Sequence, residues 1–173
     1  MTQSPDHSSQ DIATLPPAFL AWFAAKGWSP RAHQLALLEK AAAGKSCLLI
    51  APTGAGKTLA GFLPNLVDLK DRPKRKPGGA KQGIHTLYIS PLKSLAVDIA
   101  RNLEAPIAEM DLPITVETRT GDTPSSKRQR QKLNPPDIML TTPEQVALLL
   151  ASKDAARFFD NLTTVIVLSL IHI

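Results

Sequence analysis

The chain has 173 residues, of which 43% are hydrophobic, and its formal net charge is +5. A chain of this length typically forms one globular domain whose core needs no disulfide or metal staple. The sequence contains no apolar run near the ~20 residues that span a bilayer and no basic-then-apolar secretory signal, and its single cysteine excludes an internal disulfide and a multi-cysteine zinc site. We therefore expect a cytoplasmic protein with no membrane partner.

The predicted elements are a tail, two helices and then a regular alternation of strands and helices. Residues 1–13 are predicted to be a disordered tail, and helices are predicted over 17–26 and 31–43. The predicted strands are 46–51, 84–90, 114–120, 137–142 and 163–168, and the helices between them are 57–69, 92–108, 124–133 and 143–151. Such alternation indicates an α/β fold with a mostly parallel sheet and helices on both faces. Cys47, within the first apolar run, is expected to be a small buried thiol.

Half of the 20 lysine and arginine residues lie in two short windows, residues 70–81 and 127–132. The first window is also rich in proline and glycine, so it is predicted to be a surface loop. Clusters of positive charge favour polyanionic partners through counterion release. A simple solvated loop and a solvated helix face account for the same two patterns.

A phosphate-binding loop follows the first predicted strand. The segment Ala51–Thr58 reads APTGAGKT, in the order strand, glycine-rich turn, helix that such a loop requires. Its backbone N–H groups and helix start suit phosphates, Lys57 supplies charge to the terminal phosphates, and Thr58 supplies an oxygen ligand to Mg²⁺. The sequence thus predicts ATP and Mg²⁺ as cofactors, with these binding residues: Thr53, Gly54, Ala55, Gly56, Lys57 and Thr58. A second match, Gly44-Lys45-Ser46, precedes the strand and is not predicted to bind.

Four further motifs occur in a fixed order around this loop: Arg31-Ala32-His33-Gln34, Ile89–Ala96 (ISPLKSLA), Thr120-Gly121-Asp122-Thr123 and Thr141-Thr142-Pro143-Glu144. Taken singly, each has an ordinary interpretation: Gln34 as an exposed helix residue, and Pro91 and Pro143 as first-turn prolines. The histidines His33, His85 and His172 are not at metal-ligand spacing and are interpreted as structural. Together and in this order, the motifs resemble those of superfamily 2 DEAD/DEAH-box (DEXH-box) helicases.

The resemblance covers about residues 17–167 and is most similar to the large helicase-related group and the bacterial ligase-associated DNA helicases. It implies a RecA-like domain in which Arg31 and Gln34 contact adenine and Lys57 and Thr58 serve catalysis. It also implies nucleic-acid contacts from Pro91, Lys93, Ser94, Gly121, Thr142 and Pro143. The implied partners are DNA, as a single strand or a 3′-tailed duplex with RNA left open, and a DNA ligase or nuclease. A 3′-to-5′ direction and a role in DNA repair also follow only from the resemblance.

The sequence departs from the family where the Asp-Glu-x-His motif should follow Val167. It reads Leu168-Ser169-Leu170-Ile171-His172-Ile173 instead, so neither expected carboxylate is present. Losing a general base lowers a rate by ~10²–10⁴, and we expect hydrolysis by this chain to be negligible. We interpret residues 168–173 as non-native and the domain as incomplete at its C-terminus. A short but genuine protein is the alternative.

The predicted organisation is therefore a tail (1–13), N-terminal helices with the adenine element (14–45), a truncated first motor domain (46–167) and the non-native end. Two functions remain open: the first motor domain of an ATP-dependent DNA helicase, and a module that binds ATP and nucleic acid without turnover. A kinase using the same loop lacks any acceptor-site signature in the sequence.

Overall fold

The computed structural model describes residues 15–52, 54–73 and 82–167. The helices in these ranges are α1 (Pro17–Ala25), α2 (Ala32–Ala42), α3 (Lys57–Leu69), α4 (Lys93–Glu109), α5 (Ser125–Leu133), α6 (Pro143–Leu150) and α7 (Ala155–Phe159). The strands are β1 (Thr86–Ile89), β2 (Val116–Arg119), β3 (Ile138–Thr141) and β4 (Thr164–Val167). None of the described helices is long and apolar enough to cross a membrane.

The chain divides into two compact units, and the first comprises Met1–Lys70 with Glu109–Leu112. In its described part, α2 packs against α3, and buried apolar side chains such as Phe19 and Leu66 form the interior. The indole of Trp22 donates a hydrogen bond of 2.6 Å to Glu109, and Lys26 approaches the other oxygen of that carboxylate at 2.7 Å. These two donors lower the pKa of Glu109, with Lys26 the larger cause.

The second unit comprises Asp71–Ala108 and Pro113–Ile173, and it contains the sheet. All four strands are parallel, in the spatial order β2-β3-β1-β4. The interior strand β3 is buried along its whole length, as expected for a parallel strand covered on both faces. A buried cluster of Ile84, Leu87, Met139, Leu149 and Phe158 packs the sheet against its helices.

The prediction of an α/β fold with a parallel sheet is confirmed. Four of the five predicted strands are present, each shorter than the apolar run that indicated it, and the short helix α7 was not predicted. The predicted tail, the basic residues 74–81 and the terminus 168–173 lie outside the described residues.

The predicted strand 46–51 is wrong for this structure. The segment has no strand pairing, and its side chains Leu48 and Ile50 are each 86% exposed. An extended segment becomes a strand only where a neighbour accepts and donates its backbone hydrogen bonds, and no described strand takes that position. For the same reason Cys47 is exposed and not buried as expected.

Candidate nucleotide and nucleic-acid sites

The glycine-rich loop in the first unit is the candidate phosphate-binding turn. Gly54 and Gly56 have φ of 80° and 73°, the left-handed region that favours glycine. Gly56 is the cap of α3, so Lys57 and Thr58 begin that helix and its N-terminal N–H groups point into the loop. The Lys57 ammonium donates to the Ala51 carbonyl at 2.6 Å, which holds this charge against the loop. Thr53 lies outside the described residues.

The structure brings Arg31 and Gln34 to the same loop. Arg31 Nη1 donates to the Gly54 carbonyl at 3.1 Å, and Gln34 Nε2 lies 3.5 Å from the Gly56 carbonyl. The other end of the Gln34 amide accepts from the Arg31 backbone N–H at 2.9 Å. Gln34 is only 3% exposed, so its interpretation as an exposed helix residue is wrong. These contacts tie the start of α2 to both glycines of the turn.

A second site lies in the other unit, at the carboxyl ends of the parallel strands. The segments after β1, β2 and β3 are Ser90–Ser94, Thr120–Thr123 and Thr142–Pro143. Because β3 lies between β2 and β1, these three segments are neighbours at one edge of the sheet, where open α/β sheets bind their ligands. Of the predicted nucleic-acid contacts at this edge, five are exposed: Pro91, Lys93, Ser94, Gly121 and Pro143.

Thr142 differs from the other predicted contacts because it is only 3% exposed. A hydrogen bond from its side chain lowers the pKa of Glu144, and Lys93 contributes a smaller effect in the same direction. Thr142 is the N-cap residue of α6 and makes no side-chain capping hydrogen bond, and its burial separates it from the exposed predicted contacts in this structure.

Lys93 is paired with Asp122, which the sequence did not indicate. Its ammonium lies 3.0 and 3.1 Å from the two carboxylate oxygens. A Cβ at Gly121 would lie 3.4 Å from the same ammonium, so the lysine passes directly over that glycine. The two side chains are 54% and 78% exposed, and an ion pair this exposed contributes only about 0–1 kcal/mol. Lys93 can therefore leave Asp122 at little cost in free energy.

Arg128 braces the turn Thr120–Thr123 from α5. Its Nε donates to the Thr123 carbonyl at 2.7 Å and its Nη2 donates to the Gly121 carbonyl at 2.6 Å. Within the turn, the Thr120 N–H donates to Thr123 Oγ1 at 2.9 Å. From the sequence, Arg128 could be assigned only to a basic cluster, because the residue pattern does not show which backbone carbonyls accept hydrogen bonds from a guanidinium.

A second arginine of the basic cluster 127–132 also forms hydrogen bonds within the domain. Arg130 donates two hydrogen bonds of 2.9 Å to the Glu117 carboxylate. Two of the basic side chains in residues 127–132 thus bond within the domain: Arg130 to β2, and Arg128 to the turn that follows β2. The cluster is therefore neither a uniformly solvated helix face nor a surface wholly available to a polyanion.

Comparison with known proteins decides the family. The family model of the DEAD/DEAH box helicases matches residues 31–168, which is most of the chain. The chain belongs to the DEAD/DEAH box helicase family. It is 44% identical over 154 residues to the Lhr helicase/probable uracil glycosylase of Mycolicibacterium smegmatis. That match includes 83% of this chain but 10% of the relative, so this helicase-family chain spans about a tenth of the length of that protein.

Solved helicase structures agree with the sequence match. The structure of Mycobacterium smegmatis helicase Lhr bound to ssDNA and AMP-PNP superposes with a TM-score of 0.80 at 37% identity, covering 92% of this chain and 21% of that one. The DUF1998 helicase MrfA bound to DNA and AMPPNP gives a TM-score of 0.75 at 25% identity, covering 96% of this chain and 21% of that one. The RecA-like fold and the resemblance to the large helicase-related group are thereby confirmed.

The described residues of this helicase domain offer few side-chain ligands for a metal ion. The described residues contain no group of three or more histidine, cysteine or acidic side chains that could hold a metal ion. Buried His85 contacts the Thr86 hydroxyl at 2.9 Å, as a structural histidine does. Thr58 offers one hard oxygen beside the phosphate loop, which fits Mg²⁺ only if nucleotide phosphates and water supply its other ligands.

Proposed function

We propose that this chain is the ATP- and nucleic-acid-binding first motor domain of an ATP-dependent DNA helicase. The observation that carries the proposal is the attachment of Arg31 and Gln34 to the two glycines of the phosphate loop. This arrangement puts base-contacting side chains and phosphate-binding backbone in one place. The organisation proposed from the sequence goes with it, with residues 14–45 leading into a motor domain at 46–167.

ATP binding requires two changes in the loop. The Lys57 ammonium leaves the Ala51 carbonyl for the terminal phosphates, where it forms a stronger, charge-assisted contact. The N–H groups at the start of α3 bind the phosphate oxygens. Thr58 would hold Mg²⁺, which supplies charge neutralisation to the phosphates when bound. Arg31 and Gln34 would then flank adenine, with the free lone pair and second N–H of the amide available to the base.

A single nucleic-acid strand would run across the carboxyl edge of the sheet, over the segments after β2, β3 and β1 in turn. Lys93 and Ser94 provide a charge and a hydroxyl for the backbone, and exposed Gly121 lets the strand approach closely. Three further expectations are part of this proposal on the strength of the family resemblance alone: 3′-to-5′ movement, a role in DNA repair, and a ligase or nuclease partner. A cytoplasmic location, which we expect from the sequence composition, is proposed with them.

Detectable hydrolysis by the purified chain would exclude the non-hydrolysing module, whereas ATP binding without turnover fits both candidate functions. The residues after Val167 carry no Asp-Glu-x-His motif, so we expect the purified chain to bind ATP without turning it over. Release of phosphate above background would show that this expectation is wrong and would exclude a non-hydrolysing module. Failure to bind ATP analogues would overturn the nucleotide part of the proposal.

Replacement of Lys93 with alanine is expected to weaken binding of a fluorescent single-stranded oligonucleotide. Loss of one phosphate contact should also reduce the slope of log K against log salt by about 0.7. Lys153 is a matched control because it is exposed and follows α6, the helix that leads away from the carboxyl edge. Anisotropy titrations across a salt series measure both variants, and equal effects of the two substitutions would contradict a site at this edge.

Substitution of Arg128 tests whether the turn must be held in place. Lysine keeps the charge but cannot donate to both the Gly121 and Thr123 carbonyls as the guanidinium fork does. We expect Arg128→Lys to lower oligonucleotide affinity several-fold, since two hydrogen bonds of ~1 kcal/mol are at stake, while the salt slope stays unchanged. Affinity equal to that of the parent chain would show that the bracing of the turn is unimportant for binding.

A further inference from the structure

The two edge strands of the parallel sheet differ in their protection against further strand pairing. In the spatial order β2-β3-β1-β4, neither β2 nor β4 has a described strand on its outer side. β2 reads VETR, and charged residues on an edge strand oppose pairing with another chain. β4 reads TVIV, which contains neither a charge nor a proline. The free edge of β4 is therefore unprotected.

β4 has the composition of an interior strand but not the burial of one. Three of its four residues are apolar, as in β3, which reads IMLT and is buried along its whole length. Strands covered on both faces are typically such continuous apolar runs. No residue of β4 is buried, however, and Val165 and Val167 are 50% and 69% exposed. An edge of this kind is a template for an additional strand.

Residues 46–50 also lack a strand partner. They read SCLLI, no described strand pairs with them, and Leu48 and Ile50 are each 86% exposed. Side chains two positions apart lie on one face of an extended segment. Leu48 and Ile50 can therefore align with Val165 and Val167, which have the same spacing on β4. Apolar cross-strand pairs of this kind are the unit that stabilises a sheet.

We propose that residues 46–50 of one copy of this chain pair with the free edge of β4 in a second copy. The inference does not depend on nucleotide or nucleic-acid binding. The two contacting surfaces differ, so the contact is heterologous, and each paired copy keeps one surface of either kind free unless the assembly closes into a ring. Association therefore adds copies one after another and rises with protein concentration.

A second copy is the partner that the two surfaces favour. An unrelated apolar strand on the edge of β4 would leave residues 46–50 exposed. Pairing between two β4 edges would leave them exposed as well. Only a partner that carries both surfaces removes both from water and supplies backbone hydrogen bonds to both, and every copy of this chain carries both.

The test is a complementation experiment with two variants of the full 173-residue chain. Ile50→Lys puts a charge on the segment and keeps the edge, and Val165→Lys does the reverse. Sedimentation velocity over a concentration series measures association. We expect the parent chain to form dimers and longer assemblies, and each variant alone to need a concentration about 10-fold higher, because an unpaired charge is costly to bury. An equimolar mixture should form heterodimers, since one intact segment meets one intact edge.

Leu148→Lys is the matched control, because Leu148 is 58% exposed on α6 and belongs to neither surface. It should associate as the parent chain does, and a loss equal to that of Val165→Lys would indicate general apolar adhesion and overturn the inference. A monomeric parent chain overturns it as well. So does a loss confined to Val165→Lys, which would assign edge-to-edge pairing, and so does a mixture without heterodimers. If Val165→Lys does not fold, Val167→Lys replaces it, and unchanged association in that variant is the contrary result.

Discussion

Replacement of Lys57 with alanine is expected to lower the affinity of the chain for ATP by about 10- to 100-fold. Hydrogen bonds that involve a charged donor contribute about 1.5–3 kcal/mol each, and Lys57, at the start of α3, supplies a side-chain charge to the loop. Its ammonium already lies 2.6 Å from the Ala51 carbonyl, so little movement is needed to reach phosphates bound in the turn. Isothermal titration calorimetry with a non-hydrolysable ATP analogue measures the effect.

The chain provides its own control for this substitution. Lys45 belongs to the second Gly-Lys-Ser match, is exposed, and lies in the same unit as Lys57. Replacing it with alanine removes the same charge but should leave affinity within about twofold, because electrostatic effects at exposed, screened sites are small. Equal losses in the two variants would indicate a non-specific charge effect and contradict the assignment of the loop.

Replacement of Gly83 with alanine is expected to destabilise the second unit by about 1–3 kcal/mol, as overpacking of a filled site does. A Cβ at this position would contact the Asp160 carboxylate and would lie 2.6 Å from the Phe158 carbonyl and 2.9 Å from the Arg157 carbonyl. Two of these atoms are backbone, and Phe158 is 1% exposed in the core, so the obstacle cannot easily move. The Gly83 N–H also donates a hydrogen bond of 3.0 Å to the Asp160 carboxylate.

Thermal unfolding checks this expectation, at about 2–4 °C per kcal/mol for a chain of this size. Gly121→Ala is the matched control, since the nearest atom to its new Cβ is the Lys93 ammonium at 3.4 Å, the end of a flexible side chain. That variant should melt within about 2 °C of the parent. An unchanged melting temperature for Gly83→Ala would mean that the segment before β1 shifts to make room.

The sheet could be predicted because its strands are buried and regular. β3 is a continuous apolar run between turn signals, and its burial along the whole length explains that pattern. The strand that was predicted at 46–51 has the same apolar composition, yet Leu48 and Ile50 are exposed. Composition shows that a segment is suited to a sheet, but a strand forms only when a neighbouring strand is present.

For the candidate sites too, the sequence predicted some features and not others. The motifs that the sequence assigned to strand-to-helix turns do follow β1, β2 and β3, because such turns have recognisable residues and a parallel sheet collects them at one edge. Their role as a nucleic-acid site stays a prediction. The partners of those residues were not predicted. The pairing of Lys93 with Asp122 joins positions 29 residues apart, and Arg128 meets the Gly121 carbonyl across a helix start.

The sequence by itself determined the family, the α/β fold and the order of the four described strands. These properties are local, since each depends on residue types at short spacing. Tertiary structure alone decided which charged groups are paired and which have buried atoms with no hydrogen-bond partner among the described residues, as with Glu117 and Arg119 on one face of β2. Hydrogen bonding and burial depend on distances between segments far apart in the chain, and those distances exist only once the strands have paired and the helices have packed onto them.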